Sequence, residues 1–374
     1  MARDPEKLSD LSDLRVAIDA VDDELLALLN RRAALAGEVA VRKQAAGAGF
    51  YAPARERAII DRLQEANPGP FPTTAIRPVF QEVISACLSL EKGVRVAYLG
   101  PEATFTHQAA QRHFGTSAVT LPCGSIPSVF AEVERGAADF GVVPVENSNE
   151  GVVNHTLDSF LDSTLGIVAE IQVPVYQCLL ARQGTVERDI ERVYSHPQGL
   201  GQCKAWLQAN LPHASRVESA STADAARAAL ADAHGAALAS DLAAKLYGLA
   251  ILREKVQDAQ DNTTRFLVLG RMGAQAAAPA PAPDPGGAFK TTILLAFADR
   301  PGALYHALRP LSEASVNLTK IESRPSRRRA WDYVFFLELD GHAEAPEVSP
   351  VLTELASGCV LFKVLGSYRK ADAR

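Results

Sequence analysis

The sequence predicts a multidomain chain of three modules in series: an all-α segment, an α/β domain and a small α+β domain. Three observations carry this prediction. The first ninety residues keep apolar positions at helical spacing and contain no convincing strand. From Val94 short β-rich runs alternate with helical segments, as in a parallel or mixed sheet covered by helices. After the Pro/Ala/Gly stretch QAAAPAPAPDPGGA at Gln275–Ala288, the order β-α-β-β-α-β completes before the C-terminus. A length of 374 residues also exceeds what one compact core holds. The predicted boundaries are 1–93, 94–274, a linker at 275–288, and 289–374.

Leu8–Gln44 reads as one helix, with Leu11, Leu14, Ile18, Val21, Leu25, Leu28, Leu29, Leu35 and Val39 in register. At 1.5 Å per residue it would be roughly 50 Å long, and its stripe needs a partner helix or a second copy. Gly47–Pro53 breaks it. A second helix is expected over about Arg55–Glu65 and, beyond the breaker Asn67-Pro68-Gly69-Pro70, a third over about Thr73–Glu91. In the central module the clearest strands are Val94–Leu99, Gly141–Val145, Ile167–Tyr176, Val193–Ser195, Ala236–Ala239 and Phe266–Leu269. In the last module Thr291–Ala298, Gly302–Glu313, Asn317–Ser323, Tyr333–Leu339, Pro346–Ala356 and Val360–Leu365 supply the ferredoxin-like order.

Composition narrows the function. Hydrophobic content of 47% with 22% charged residues is ordinary for a soluble globular protein. A net charge of −6 with no basic stripe argues against nucleic acid, so an anionic ligand would need locally concentrated Arg and Lys. MARDPEKLSDLSDLR lacks the apolar core of a signal peptide, and no apolar run reaches the ~18 residues of a membrane span. Cys87, Cys123, Cys178, Cys203 and Cys359 are scattered with no CxxC spacing. They read as reduced thiols in a cytoplasmic setting rather than as zinc ligands. Neither a metal-ligand cluster nor a phosphate loop is present, so no metal or organic cofactor is expected.

Arg15, Arg32 and Lys43 share the first helix. Arg32 and Lys43, eleven residues apart, return to nearly one face roughly 16 Å apart and could hold a small dianion between them. Arg15 is about 25 Å from Arg32 on the same rod, so it could join only from a second copy. The competing reading is of solvated surface cations. The whole pattern, LR-x16-R-x10-K followed by Arg55-Glu56 and a third helix ending in Leu90-Glu91, is similar to the helical chorismate mutases that form intertwined dimers. The resemblance covers about Leu8–Lys92. It implies that Arg15 of a second copy and Arg32 clamp the two carboxylates of chorismate. Lys43 and Glu91 would address the ether oxygen, and Arg55 and Glu56 would organise the loop and the ring hydroxyl. Ala52 and Cys87 stand where relatives carry Asp and Ser, and Glu91 replaces a common Gln. Only a protonated Glu91 could donate to an ether oxygen, so a raised Glu91 pKa is expected.

The central module holds GVVPVENSNEGVVNHTLD at Gly141–Asp158, an apolar strand running into a polar corner. Ligands bind in open α/β sheets where strands end and helices begin, although such a corner can also be an ordinary turn. It is one of five segments in order. The others are Tyr98–His107, Ser195-His196-Pro197-Gln198, Ser219–Ala225 and Asn262-Thr263-Thr264-Arg265-Phe266. Together, over about Val94–Arg271, they resemble the prephenate dehydratases. That resemblance implies two lobes in the manner of periplasmic binding proteins, with a cleft between them. It makes Thr264 the essential hydroxyl donor, with Arg265 on a substrate carboxylate and Phe266 under the ring. Glu146, Asn147, Ser148, His196, Ser221 and Thr222 are the further lining expected. The competing readings are β-propensity for Thr263-Thr264 and a structural hydrogen bond for His196.

Pro301-Gly302-Ala303-Leu304 and Glu322-Ser323-Arg324-Pro325 resemble the two signature turns of the ACT regulatory domain. L-Phenylalanine is the effector this implies, with an inert dimerisation domain as the alternative. Arg327-Arg328-Arg329 reads as a solvated hairpin tip. The order of modules is that of the bifunctional enzymes of phenylalanine biosynthesis. It implies chorismate to prephenate to phenylpyruvate, feedback inhibition by L-phenylalanine, and a homodimer or higher oligomer. Two rivals are a non-catalytic small-molecule sensor and a dehydratase whose helices survive only for dimerisation.

Overall fold

The structure, a computed structural model, describes residues 10–45, 53–91, 93–273, 288–326 and 333–371. Ala52, the linker residues 275–287 and the hairpin tip Arg327-Arg328-Arg329 lie outside the described residues. The chain divides into two compact units, one containing the N-terminal helices and one containing the remaining modules.

In the first unit α1 spans Leu11–Ala45, α2 Pro53–Glu65 and α3 Thr73–Glu91. The second helix begins two residues before the predicted start, because a proline in the first turn is preset at helical φ and lacks only an N–H that would go unused. Asn67 organises the breaker that follows. Its Nδ2 donates to Phe71 O (2.8 Å) and Thr73 Oγ1 (3.1 Å), and its Oδ1 accepts from Gly69 N (3.2 Å). Ile60 of α2 and Ile76, Ile84 and Cys87 of α3 are buried. The stripe of α1 is not: Leu25 is 52% exposed and Leu28 59%.

In the second unit the first lobe is a six-stranded sheet in the order β2-β1-β3-β11-β5, with β4 paired to β3. These strands are β1 Arg95–Leu99, β2 Val119–Cys123, β3 Phe140–Asn147, β4 Gly151–Val152, β5 Gly166–Pro174 and β11 Thr263–Gly270. The second lobe is a five-stranded sheet, β10-β6-β9-β7-β8, made of β6 Cys178–Ala181, β7 Arg192–Ser195, β8 Ser215–Glu218, β9 Gly235–Ala239 and β10 Ala250–Arg253. The helices that accompany the two sheets are α4 Phe105–Phe114, α5 Ile126–Glu134, α6 Asn154–Phe160, α7 Pro197–Gln202, α8 Lys204–Asn210, α9 Thr222–Ala231 and α10 Asp241–Tyr247. The core of the second lobe is built from small residues. Ala223, Ala226 and Ala229 of α9 (Thr222–Ala231) join Ala237 and Ala239 of β9, which brings helix and sheet close together. The chain crosses between lobes after β5 and returns before β11. The two crossings are bonded to each other, Val175 N to Asn262 O and Val256 N to Gln177 O, both 2.8 Å.

The C-terminal module runs β12 Phe289–Ala296, α11 Ala303–Glu313, β13 Leu318–Pro325, β14 Tyr333–Asp340, α12 Ser349–Ser357 and β15 Leu361–Arg369. Its antiparallel sheet has the order β13-β14-β12-β15, the predicted ferredoxin-like arrangement. One apolar cluster joins it to the first lobe: Leu294, Phe336 and Leu365 pack with Val145, Ile167 and Leu267. Strand β15 approaches β5 so closely that a Cβ on Gly366 would sit 2.1 Å from Ile167 O. Only glycine permits that contact.

Candidate active sites

Three side chains gather in the helical unit. Arg32 and Lys43 of α1 act electrostatically on Glu56 of α2, and Arg32 Nη1 donates to Val83 O (3.4 Å). Burial pushes the Glu56 carboxyl up to about 7 against the opposing pull of Lys43 and Arg32. Arg15 and Arg55 are exposed, Arg15 lying seventeen residues from Arg32 along α1. Cys87 is 6% exposed within the helical core. The side chain of Glu91 lies outside the described residues, so the raised carboxyl seen here is that of Glu56.

A cleft of about 390 Å³ lies between the two lobes. Thr264 and Phe266 of β11 line it with Asn147 of β3, His196, Ser221 and Thr222. Asn147 organises the corner. Its Oδ1 accepts from Asn149 N (3.0 Å) and Glu150 N (3.2 Å), closing the turn after β3. Its Nδ2 donates to Asn262 Oδ1 and Thr264 Oγ1, both at 2.8 Å. The amide accepts from the turn with its oxygen and donates to the hydroxyl with its nitrogen. Because the Thr264 oxygen already accepts from Asn147, its own proton is left to donate into the cleft.

His196 caps α7 (Pro197–Gln202), its Nδ1 accepting from Gln198 N (3.3 Å), which places the ring proton on Nε2. Ser221 caps α9. Its Oγ accepts from Asp224 N (3.0 Å) and donates to Asp224 Oδ2 (2.7 Å), so its part is to fix the helix start beside the cleft. In the first motif Tyr98 stacks on His107 with ring centroids 4.8 Å apart. His107 Nδ1 accepts from Ala103 N (3.1 Å), and burial lowers the pKa of that imidazole.

Three expected lining residues face elsewhere. Ser148 is exposed and pins β11, its Oγ accepting from Thr263 N (3.0 Å). Arg265 points to the opposite face of the sheet, as does its cross-strand partner Glu146. There Arg265 Nη2 meets Glu146 (2.9 Å) and its Nη1 meets Glu170 (3.2 Å) and Glu338 of the C-terminal module (2.8 Å). The expectation that Arg265 orients a substrate carboxylate is corrected by this geometry, since side chains alternate along a strand and Thr264 and Phe266 take the cleft side. A bulge in β3 between Glu146 and Pro144 keeps Asn147 opposite Thr264 and Pro144 opposite Phe266. Cleft residues with no prior sequence signal are Gln177 and Gln202. Isolated glutamines carry no motif that could have marked them.

In the C-terminal module Gly302, Ala303 and Leu304 line a second cavity of about 760 Å³. Gly302, at φ +80°, turns the chain into α11. Glu322, Ser323, Arg324 and Pro325 lie on β13 and do not line that cavity. Arg324 instead makes a two-pronged pair with Asp158 of the first lobe, at 2.9 and 3.1 Å.

Comparison with known proteins follows the same modules. The family Chorismate mutase type II matches residues 14–92, Prephenate dehydratase 96–274 and ACT domain 291–357. The bifunctional chorismate mutase/prephenate dehydratase of Aquifex aeolicus is 48% identical over 368 residues, covering 97% of this chain and 99% of that relative. This chain belongs to the bifunctional chorismate mutase/prephenate dehydratase family. It is an enzyme with both activities. The prephenate dehydratase of Arthrobacter aurescens, solved in complex with L-Phe, is 36% identical with a TM-score of 0.68, over 75% of this chain and 92% of that one. GqqA, described as a novel type of quorum quenching acylase, is 33% identical with a TM-score of 0.66, over 74% of this chain and 97% of that one.

The chorismate mutase and prephenate dehydratase modules therefore serve successive reactions, chorismate to prephenate and prephenate to phenylpyruvate. Among the described residues no group of three or more His, Cys, Asp or Glu could hold a metal ion. No described helix is long and apolar enough to cross a membrane.

Proposed function

We propose that the two reactions are carried by the residues gathered in the helical unit and in the cleft, and that L-phenylalanine acts through the C-terminal module. The observation that carries the dehydratase assignment is the Thr264 hydroxyl, held at its oxygen by Asn147 and open to the cleft at its hydrogen. Prephenate loses CO2 and its ring hydroxyl together. Thr264 donates to the departing oxygen, which leaves as water, and the Thr264 proton is restored from solvent. The electron pair of the broken C–C bond completes the aromatic ring. Phe266 packs against that ring. The fold does not decide the chemistry, since GqqA shares it; the full-length likeness to bifunctional relatives does.

In the mutase, Arg32 and Lys43 hold chorismate. The rearrangement needs no nucleophile, so restraint of the reactive conformer and charge stabilisation suffice. Arg15 comes from a second copy, whose α1 covers the exposed stripe of Leu25 and Leu28, making the working form a homodimer or larger. A single-copy mass in solution would overturn that assembly. Five free cysteines support a cytoplasmic location. The modules divide at 93/94, with 275–288 as the linker. The cavity at Gly302-Ala303-Leu304 is the candidate effector site.

The test supplies chorismate and follows prephenate and phenylpyruvate separately, with and without L-phenylalanine. Phenylpyruvate forms and the effector suppresses it. Arg32→Ala stops chorismate turnover and spares turnover of supplied prephenate. An Arg32→Ala enzyme with unchanged chorismate turnover would make the helices a scaffold.

Glu56 sets the pH response of the mutase. Below about pH 7 it is protonated, and the two cations beside it face the dianion unopposed. As pH rises through 7 the carboxylate ionises and cancels part of that field, so KM for chorismate rises between pH 6 and 8. Glu56→Gln flattens the profile. A profile of identical shape in the variant would remove Glu56 from this role.

A further inference from the structure

Gln177 lines the dehydratase cleft at the crossing from β5 to β6 and is 2% exposed. Its main chain is fully engaged: N–H donates to Gln257 Oε1 (3.0 Å) and C=O accepts from Val256 N (2.8 Å). Its Nε2 donates to Gln202 Oε1 (3.3 Å), and Gln202 Nε2 donates to Glu150 Oε1 (3.2 Å). The direction of this relay is set chemically. An ionised carboxylate only accepts, so Glu150 draws the NH2 of Gln202, whose oxygen then draws the NH2 of Gln177. What remains is Gln177 Oε1, a buried acceptor with no partner. Buried carbonyl oxygens rarely go without a donor, and in a cleft the donor can come with the ligand.

Prephenate offers that acceptor one choice. Its two carboxylates and its ketone can only accept; the ring hydroxyl is its single hydrogen-bond donor. Building on the proposed role of Thr264, we infer that Gln177 Oε1 accepts the hydrogen of the leaving hydroxyl. The lone pair of that oxygen then faces Thr264, which donates to it. Gln177 neither gains nor loses a proton: the C–O bond breaks, the oxygen leaves as water with the proton supplied from the Thr264 side, and CO2 departs. Gln202 and Glu150 are positioning residues that keep the Gln177 amide from flipping. The same acceptor repels carboxylates, which fixes the end of the cleft where the hydroxyl binds.

The test compares prephenate turnover with inhibition by phenylpyruvate, the product that has lost this hydroxyl. In Gln177→Met, kcat falls about tenfold or more, the effect of one lost hydrogen bond at the reacting group, while the inhibition constant for phenylpyruvate stays the same. Gln177→Glu keeps an acceptor oxygen, so its kcat stays closer to wild type while KM rises from the added charge. Gln202→Leu, which touches no reacting atom in this scheme, lowers kcat by a smaller factor. Unchanged kcat in Gln177→Met overturns the inference, and so does an equal loss of turnover and phenylpyruvate affinity. Failure of the wild-type chain to turn over prephenate would instead overturn the dehydratase site reading on which this rests.

Discussion

Thr264→Val lowers dehydratase turnover by about 10²- to 10⁴-fold, the range spanned by a positioned proton donor, and leaves chorismate turnover unchanged. Valine has nearly the shape of threonine and the same preference for a strand, so β11 keeps its pairing with β3 and β5. Only the hydroxyl is lost. Asn147 Nδ2 retains Asn262 Oδ1 as an acceptor, so the corner stays closed. Thr264→Ser, which keeps the hydroxyl, retains most of the activity. Steady-state rates on prephenate decide the matter, and a valine variant as fast as wild type would strip Thr264 of its role.

Arg265→Leu destabilises the dehydratase–ACT unit. Three cations meet three carboxylates between the two sheets: besides the Arg265 contacts, Lys290 reaches Glu170 (3.1 Å) and Glu338 (3.2 Å), and Lys320 reaches Glu146 (2.9 Å). Glu170 and Glu338 side chains are 1% and 7% exposed. Removing one member of such a cluster leaves buried charge uncompensated and costs about 3–5 kcal/mol, a fall in melting temperature on the order of 10 °C. The pH dependence has a definite sign. Burial pushes the Glu146 carboxyl up, but Lys320 and Arg265 outweigh burial and hold it below its ordinary 4.5. Its contribution is therefore present above about pH 4.5 and is lost as pH falls through the depressed value. The leucine variant loses part of that contribution, so its deficit is larger at pH 7 than at pH 4. Thermal denaturation at both values measures this, and a melting temperature within about 2 °C of wild type at pH 7 would mean that the cluster contributes little.

Much of this architecture was legible in local pattern. The helical stripe of α1, the proline–glycine breaker at Asn67–Pro70 and the alternation beginning at Val94 each reflect short-range periodicity or turn chemistry. Strands such as β7 and β9 match the sequence expectation to within one residue. β11 begins at Thr263, three residues before the expected Phe266, because Thr263 pairs with Pro174 of β5 and the polar Thr264 and Arg265 pair on both sides. The side assignment of Arg265 was partly within reach. If Thr264 and Phe266 face one ligand, period-two alternation turns Arg265 away from it. The Gln177 acceptor was not within reach, since it depends on Gln202, 25 positions later, and Glu150, 27 positions earlier in the chain.

The sequence by itself determined the element types, their order and the turns that end them, because each depends on side chains a few residues apart. Tertiary structure alone decided what each polar residue meets on the face it occupies. Arg265 would be a plausible cleft residue until the C-terminal sheet covers the back of the first lobe and brings Glu338 and Lys290 against it. Once that face is closed to water, a charge on it is held only by opposite charges close by, and these come from strands distant in the chain.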